Sequence, residues 1–165
     1  MATPEPGRRT HQLTADTDLV VFLIGMRVNK PWRIDAWLPT ALAMPRMLAE
    51  LERDPEQGLL GFRMLLGLSG PMVVQYWRDV DSLYHYASNT TAKHRPVWAA
   101  FNRRARKVPG AVGIWHETFT VRGAESMYVD MPRLGLGRAL GTVAVTGRLD
   151  RARDRLASRQ RPPAS

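Results

Sequence analysis

Alternating and unbroken hydrophobic runs predict four strands in the central part of the chain. Residues 19–27 form an apolar run of strand length without alternation, which is typical of a strand covered on both faces. Residues 59–68 and 72–78 form two further runs, and the tight turn between them predicts a hairpin. Residues 110–121 are rich in aromatic and β-branched side chains and predict the fourth strand.

Apolar positions at helical spacing predict three helices between these strands. The first covers residues 36–53, with Asp35 as its N-cap and Pro45 expected to kink or divide it. A short second helix carries residues 80–87, and a third covers residues 93–107. The order β-α-β-β-α-α-β matches the ferredoxin-like split βαβ unit, with its second helix doubled.

The sheet of such a unit carries helices on one face only, so its other face needs cover. The first predicted strand, residues 19–27, is apolar on both sides. A homodimer that packs sheet against sheet would bury the second face. The pattern therefore predicts an α+β protomer that forms a homodimer.

The chain has 165 residues, which indicates a single domain, and the patterned part covers residues 18–145. Residues 1–17 are polar and lack a sustained period, so they predict a disordered N-terminal tail. Residues 146–165 are rich in arginine and predict a basic C-terminal tail, with a short helix as an option at its start.

The formal net charge is +9, which raises the question of a nucleic-acid partner. Much of the excess lies in the C-terminal tail and in residues 103–107, at the predicted end of the third helix, where cations favour the helix dipole. No known nucleic-acid motif accompanies either cluster, so nucleic acid is not expected as a partner. Attraction to an anionic ligand or to a membrane surface stays open.

The chain contains no cysteine, which excludes disulfides, thiolate catalysis and cysteine-ligated zinc and fits a reducing cytoplasm. No apolar run is long enough to span a bilayer, so we expect a cytoplasmic protein without a membrane span. Motifs for nucleotide binding, serine hydrolysis and zinc proteolysis are absent. His85 and His94 lack a recognised metal-ligand spacing, so no bound metal is expected.

The fourth strand places two titratable residues, His116 and Glu117, side by side in a segment apolar enough to be sheet core. Neighbouring strand residues point to opposite faces, so the two cannot act as a direct pair and only one can face a pocket. Which one does so is left open, because a register error of one residue exchanges the faces. In the structural alternative, one lies at the dimer interface and the other is a satisfied core group.

Several short segments occur in a specific order: residues 22–30, 75–78, 94–98, 101–102, 112–118, 128–132 and 135–137. Together they resemble a family of monooxygenase-like proteins. The family includes fungal polyketide-tailoring hydroxylases of the antibiotic-biosynthesis-monooxygenase type and bacterial members of unknown function. The resemblance spans roughly residues 20–139. It implies a dimeric α/β barrel of two ferredoxin-like protomers, each with a cavity between sheet and helices.

The resemblance also implies an enzyme of secondary metabolism, such as antibiotic biosynthesis, that oxygenates a small hydrophobic or polyketide-like metabolite with O2. No metal, flavin or haem is needed if a base converts the substrate into a carbanion or enolate that reduces O2 directly. The candidates for a catalytic role are His116, His94 and Glu117. The residues expected to wall the pocket or orient the oxygen are Gln75, Tyr76, Trp77, Trp98, Asn102 and Trp115.

Two alternatives remain. Related dimeric α/β barrels include haem enzymes such as aldoxime dehydratases, and His116 or His94 would then be the axial ligand of the haem iron, with basic charge neutralising the propionates. The third interpretation is a non-catalytic protein that binds a small molecule in the same pocket. Ordinary packing explains the aromatic residues equally well in that case.

Overall fold

The computed structural model of the protein describes residues 2–12, 18–88 and 94–157, without the side chains of residue 50 and residues 94–98. The strands are β1 (Glu5–His11), β2 (Val20–Val28), β3 (Leu59–Gly67), β4 (Gly70–Trp77), β5 (Val112–Thr120), β6 (Tyr128–Met131) and β7 (Thr142–Ala144). The helices are α1 (Ile34–Leu51), α2 (Val80–Ser88), α3 (His94–Lys107), α4 (Leu136–Leu140) and α5 (Ala152–Ala157). Among the described helices, none combines the length and the apolar character that a membrane crossing requires.

Four strands form the main antiparallel sheet, in the order β3-β4-β2-β5. Together with α1 to α3 they reproduce the predicted ferredoxin-like order, so the fold class of the protomer is confirmed. Helix α1 runs from Ile34 to Leu51 with Pro39 and Pro45 inside it, so Pro45 does not divide the helix. Asp35 lies in its first turn rather than at its N-cap.

Strand pairing decides which side chains share a face of this sheet. Ile24 on β2 pairs with Val73 on β4 and with His116 on β5, and this row faces the helices. The adjacent row holds Leu23 and Glu117 and lies on the opposite side, because side chains alternate along a strand. We call that side the open face. It also carries Val21, Val74, Trp115 and Phe119.

The buried core lies between the sheet and the helices. Val20, Leu51, Leu59, Trp77 and Leu83 form its largest cluster, which joins β2, β3 and β4 to α1 and α2. Helix α2 is held at its start by Asp79, whose carboxylate accepts a 2.6 Å hydrogen bond from the backbone N–H of Ser82. That hydrogen bond lowers the pKa of Asp79. The core and the cap therefore fix the elements that surround the site.

Residues 5–11 form strand β1, which corrects the prediction of a disordered tail over residues 1–17 for this segment. The strand pairs with β6 and β7 in a separate three-stranded sheet. The backbone N–H of its last residue, His11, donates to the Ser126 hydroxyl at 3.0 Å, and the His11 ring Nδ1 lies 2.7 Å from the same oxygen. Ser126 lies more than a hundred positions away from His11 in the chain, so no local sequence pattern predicts this contact. Residues 13–17 of the predicted tail lie outside the described residues.

The segment after the main sheet is also ordered, which corrects the prediction of a tail over residues 146–165 as far as residue 157. Arg155 on α5 is buried, and its guanidinium donates to Glu125 at 2.8 Å. Helix α4 packs against the edge strand β3, where the Arg138 guanidinium lies 5.7 Å from the centre of the Phe62 ring. Helix α4 therefore lies beside β3, an edge strand of the main sheet. Residues 158–165 lie outside the described residues.

Candidate active site

A cavity of about 350 Å³ lies between the helix-covered face of the main sheet and helices α1, α2 and α3. Its size falls at the lower end of the range of small-molecule sites. Most of its lining is apolar, and the side chains come from β2, β4 and β5 below and from the helices above. They include Phe22, Ile24, Met26, Met44, Met47, Leu48, Leu51, Val73, Leu83, Phe101 and Ile114. The three methionines give the wall a polarisable surface that suits an aromatic ligand.

His116 brings a titratable group to this apolar cavity. Its ring packs against Phe22 with centroids 5.7 Å apart and planes inclined at 37°. Strand β5 is an edge of the sheet, and His116 is exposed. The imidazole therefore meets the cavity on one side and solvent on the other, which suits a group that takes a proton from a bound molecule and releases it to water.

Gln75 is a polar group on the cavity floor, on strand β4. Its carboxamide oxygen accepts a 2.9 Å hydrogen bond from the indole N–H of Trp77, two residues along the same face. Trp77 is fully buried and packs against Tyr86, with ring centroids 5.6 Å apart. Trp77 is therefore a core residue beside Gln75 and is not part of the cavity lining, which corrects the expectation that it walls the pocket.

Thr40 on α1 is a lining residue on the helical side of the cavity. Its Oγ1 is buried and has no hydrogen-bond partner among the described residues. The sequence interpretation missed this residue. Helical periodicity could have predicted its position. Thr40 precedes Met44, Met47 and Leu48 by four, seven and eight residues, so it shares the apolar face of α1 with them.

Three predicted site residues lie on the open face and not in this cavity. Glu117 pairs with Leu23, one position out of phase with His116, so His116 is the neighbour that faces the cavity. The Trp115 indole lies against Gly25, where an added Cβ would come within 2.5 Å of the ring. The expectation that Trp115 walls the pocket is corrected for this cavity, because strand alternation points its side chain the other way.

Tyr76 also lies on the open face, beside Gly135 at the start of the segment that leads to α4. Burial raises the pKa of the Tyr76 phenol, with a smaller contribution from Tyr128, so it stays neutral. Tyr76 does not line the cavity, so the expectation that it walls the pocket is also corrected.

Among the described side chains of α3, that of Phe101 lines the cavity. Its neighbour Asn102 is exposed, because adjacent helical residues point about 100° apart, so Asn102 does not orient a ligand in this cavity. The side chains of His94 and Trp98 lie outside the described residues. Across the described part of the chain, no cluster of three or more histidine, aspartate or glutamate side chains forms a metal site.

The order of the strands defines a ferredoxin-like α+β protein with a cavity between its sheet and its helices. Residues 19–136 match the family model described as Monooxygenase af470-like. The chain belongs to this family, as its ordered motifs predict.

A curated relative of this chain is Monooxygenase af470 of Aspergillus fumigatus, which is 34% identical over 143 residues. The match covers 80% of this chain and 49% of that protein, so the chain spans about half the length of this relative.

Two solved structures are similar in fold. Aldoxime dehydratase OxdRE, in complex with butyraldoxime, aligns with a TM-score of 0.59 at 19% identity and covers 96% of this chain and 45% of its own. SnoaB, a cofactor-independent oxygenase from Streptomyces nogalater, aligns with a TM-score of 0.42 at 18% identity over 65% of this chain and 96% of its own. The first alignment shows that the fold is shared over nearly the whole chain.

Proposed function

We propose that the protein is a monooxygenase that acts on a small hydrophobic, polyketide-like metabolite without a bound cofactor. The observation that carries this proposal is a solvent-connected imidazole, that of His116, in a largely apolar cavity that also holds an oriented amide. Membership of the Monooxygenase af470-like family supports the same reaction class. The reaction is a tailoring step of secondary metabolism, and with no cysteine in the chain we place it in the cytoplasm.

His116 acts as the general base in this proposal. It removes a proton from a carbon that is flanked by a carbonyl group or a phenol ring, and the electron pair left on carbon delocalises as an enolate. The enolate passes electrons to O2 and forms a C–O bond, which gives a hydroperoxide after protonation by the imidazolium. If the oxidised carbon was a CH2 group, the hydroperoxide loses water and becomes a ketone. One oxygen atom of O2 therefore enters the product and the other leaves as water.

The apolar lining supports this chemistry because it keeps water away from a reactive carbanion. Hydrogen bonds inside such a cavity are stronger than in water, so a single oriented donor contributes more to enolate stability. Gln75, which lines the cavity, would provide one. Phe22, Phe101 and the methionine wall would hold a flat ring by contact alone.

The lining does not fit haem equally well. His116 offers a nitrogen suited to an iron ligand. Among the described lining residues, however, no arginine or lysine is present to pair with the carboxylates of haem. The net positive charge of the chain lies elsewhere, so we retain the mechanism without haem.

We also propose that the protein is a homodimer in which two open faces pack together. The open face carries large apolar side chains: Trp115 is 39% exposed and Phe119 is 50% exposed. The row that contains Leu23 ends in Glu117 on β5 and in Arg63 on β3, at opposite edges of the sheet. A two-fold axis parallel to the strands would place each charge over its opposite in the partner, across a gap of about 10 Å.

The base assignment is tested by oxygen uptake with anthrones, which are flat, apolar and readily enolised. We expect His116→Ala to lower turnover by about 100-fold or more, since a positioned base contributes at least that much. Glu117→Gln, the adjacent residue on the other face, is the matched control and should keep turnover within about threefold. Equal losses in both variants, or normal turnover in His116→Ala, would show that the base is another group.

A further inference from the structure

Three loops meet at one end of the main sheet, where β2 and β3 end and β4 and β5 begin. The backbone N–H of Val28 donates to the carbonyl of Ser69 at 3.0 Å, and that of Asn29 donates to the carbonyl of Ala111 at 2.9 Å. These hydrogen bonds tie the loops into one surface. We call this surface the hairpin end; it consists of residues 27–34, 66–70 and 104–111.

Large apolar side chains are exposed at the hairpin end. Leu68 at the tip of the hairpin is fully exposed, Leu66 is 87% exposed, and Trp32 is 72% exposed. Ile34, at the start of α1, is also exposed. Single exposed apolar residues are common, but several on adjoining loops mark an interaction surface. A tryptophan among them is typical of a membrane–water interface.

The charged residues of the hairpin end all have the same sign. Residues 27–34, 66–70 and 104–111 contain no aspartate or glutamate. Asp35, just outside them, pairs with Arg33 at 2.7 Å. The other basic residues of the hairpin end are Arg27, Lys30, Arg104, Arg106 and Lys107.

The opposite end of the sheet has no such excess of positive charge. Its loops, residues 52–58 and 78–82, mix acidic with basic side chains: Glu52, Arg53, Asp54, Glu56, Arg78, Asp79 and Asp81. The hairpin end therefore combines exposed apolar groups and positive charge, and the opposite end does not.

We propose that the hairpin end binds the surface of an anionic lipid bilayer. Leu66, Leu68 and Trp32 enter the boundary between headgroups and acyl chains, and the basic residues contact the lipid phosphates and carboxylates. A second copy of the chain is a poorer partner, because two identical ends would place like charges against each other. Nucleic acid would attract the basic residues but leave the leucines in water.

The position of the cavity agrees with this surface. Pro71 pairs with Leu66 beside the hairpin, and it lines the cavity together with Met26. The cavity thus extends toward the hairpin end, from which an apolar molecule dissolved in the bilayer would reach it. The inference goes beyond the proposed function, because binding to a bilayer does not require turnover.

The experiment is co-sedimentation of the full-length protein with vesicles. One set contains phosphatidylcholine alone, and the other contains roughly one third phosphatidylserine. We expect binding to the anionic vesicles to be at least about tenfold tighter, because several basic residues contribute a factor of about five each. Raising the salt concentration should weaken this preference, since salt screens exposed charges.

Four variants test the residues of the hairpin end. Leu68→Ser and Trp32→Ser should each weaken binding by about tenfold or more, because each removes a side chain that enters the bilayer. Arg106→Ala and Lys107→Ala should each weaken binding to anionic vesicles by about fivefold and leave binding to neutral vesicles unchanged. All four side chains are exposed, so the variants should fold, which circular dichroism checks.

The matched controls lie beyond the other end of β5. Leu156 on α5 is an exposed leucine beside Gly123, and Arg122 is an exposed arginine in the same loop. Leu156→Ser and Arg122→Ala should keep binding within about twofold of the wild type, since neither residue meets the bilayer.

Three results with vesicles would overturn the inference: no binding, equal binding to neutral and anionic vesicles, or full binding by Leu68→Ser and Trp32→Ser. Duplex DNA bound more tightly than vesicles, and unaffected by Leu68→Ser, would assign the hairpin end to nucleic acid instead. A lipid-free mass that is lower in Leu68→Ser than in the wild type would assign it to contacts between copies. Oxygen uptake tests the reaction separately, so an inactive protein that binds vesicles would retain the inference.

Discussion

His116 combines two requirements of a general base in an apolar site. It must reach a buried substrate, and it must afterwards return its proton to the reaction or to water. A position on the edge strand β5 meets both, because one side of the ring contacts Phe22 in the cavity and the other is exposed. A histidine at the centre of the sheet would be isolated from solvent.

Gly70 gives a prediction at the same scale. Its φ is +141°, and an added Cβ would lie 2.1 Å from the carbonyl oxygen of Met26, a backbone atom that cannot move independently. We expect Gly70→Ala to lower the free energy of unfolding by about 2 kcal/mol or more. Chemical denaturation of the purified variant measures this loss.

The matched control is Gly67, which pairs with Gly70 in the same hairpin. A Cβ there would meet its nearest atom at 3.5 Å, an ordinary contact. Gly67→Ala should therefore change stability by less than about 1 kcal/mol. Similar losses in the two variants would mean that the close approach of β4 to β2 is not what requires glycine at position 70.

At the scale of elements, the main sheet was predictable because its strands carry their own hydrophobic signal. Strand β2 and strand β5 begin and end within about two residues of the predicted bounds. The faces were not predictable from spacing, since a shift of one residue exchanges His116 for Glu117 and only strand pairing decides between them.

Strand β1 illustrates what local pattern cannot reveal. Its residues are mostly polar, and they form a strand because distant partners pair with them: Arg9 pairs with Ala144 and with Tyr128 on its two sides. An ion pair between Arg133 and Glu5 at 2.5 Å adds to the same assembly. Long-range pairing of this kind leaves no period in the sequence, so the segment resembled a tail.

At the scale of the whole molecule, the apolar residues of β2 lie on two sides of the main sheet: some face the cavity and others belong to the open face. Val21 lies on the open face, whereas Ile24 lines the cavity. We expect Val21→Asp to convert the proposed dimer to a monomer, because an unpaired charge in a sheet interface is costly. Light scattering coupled to size-exclusion chromatography measures the mass.

Ile24→Asp is the companion variant, with the same charge three residues away on the other face. It should disturb the cavity and lower oxygen uptake with anthrone, while the mass stays that of the proposed dimer. If Val21→Asp remains a dimer with an unchanged melting temperature, the two sheets do not pack through their open faces.

The central claim is that this cavity transfers one oxygen atom from O2 to an enolised substrate with no bound cofactor. It is tested most directly by mass spectrometry of the product formed from anthrone under isotopically labelled O2, with chelator-treated protein whose absorbance spectrum shows no flavin or haem. We predict one labelled oxygen atom per product molecule, and loss of this product in His116→Ala. Product that carries no label, or that forms only after a metal, flavin or haem is added, would contradict the account.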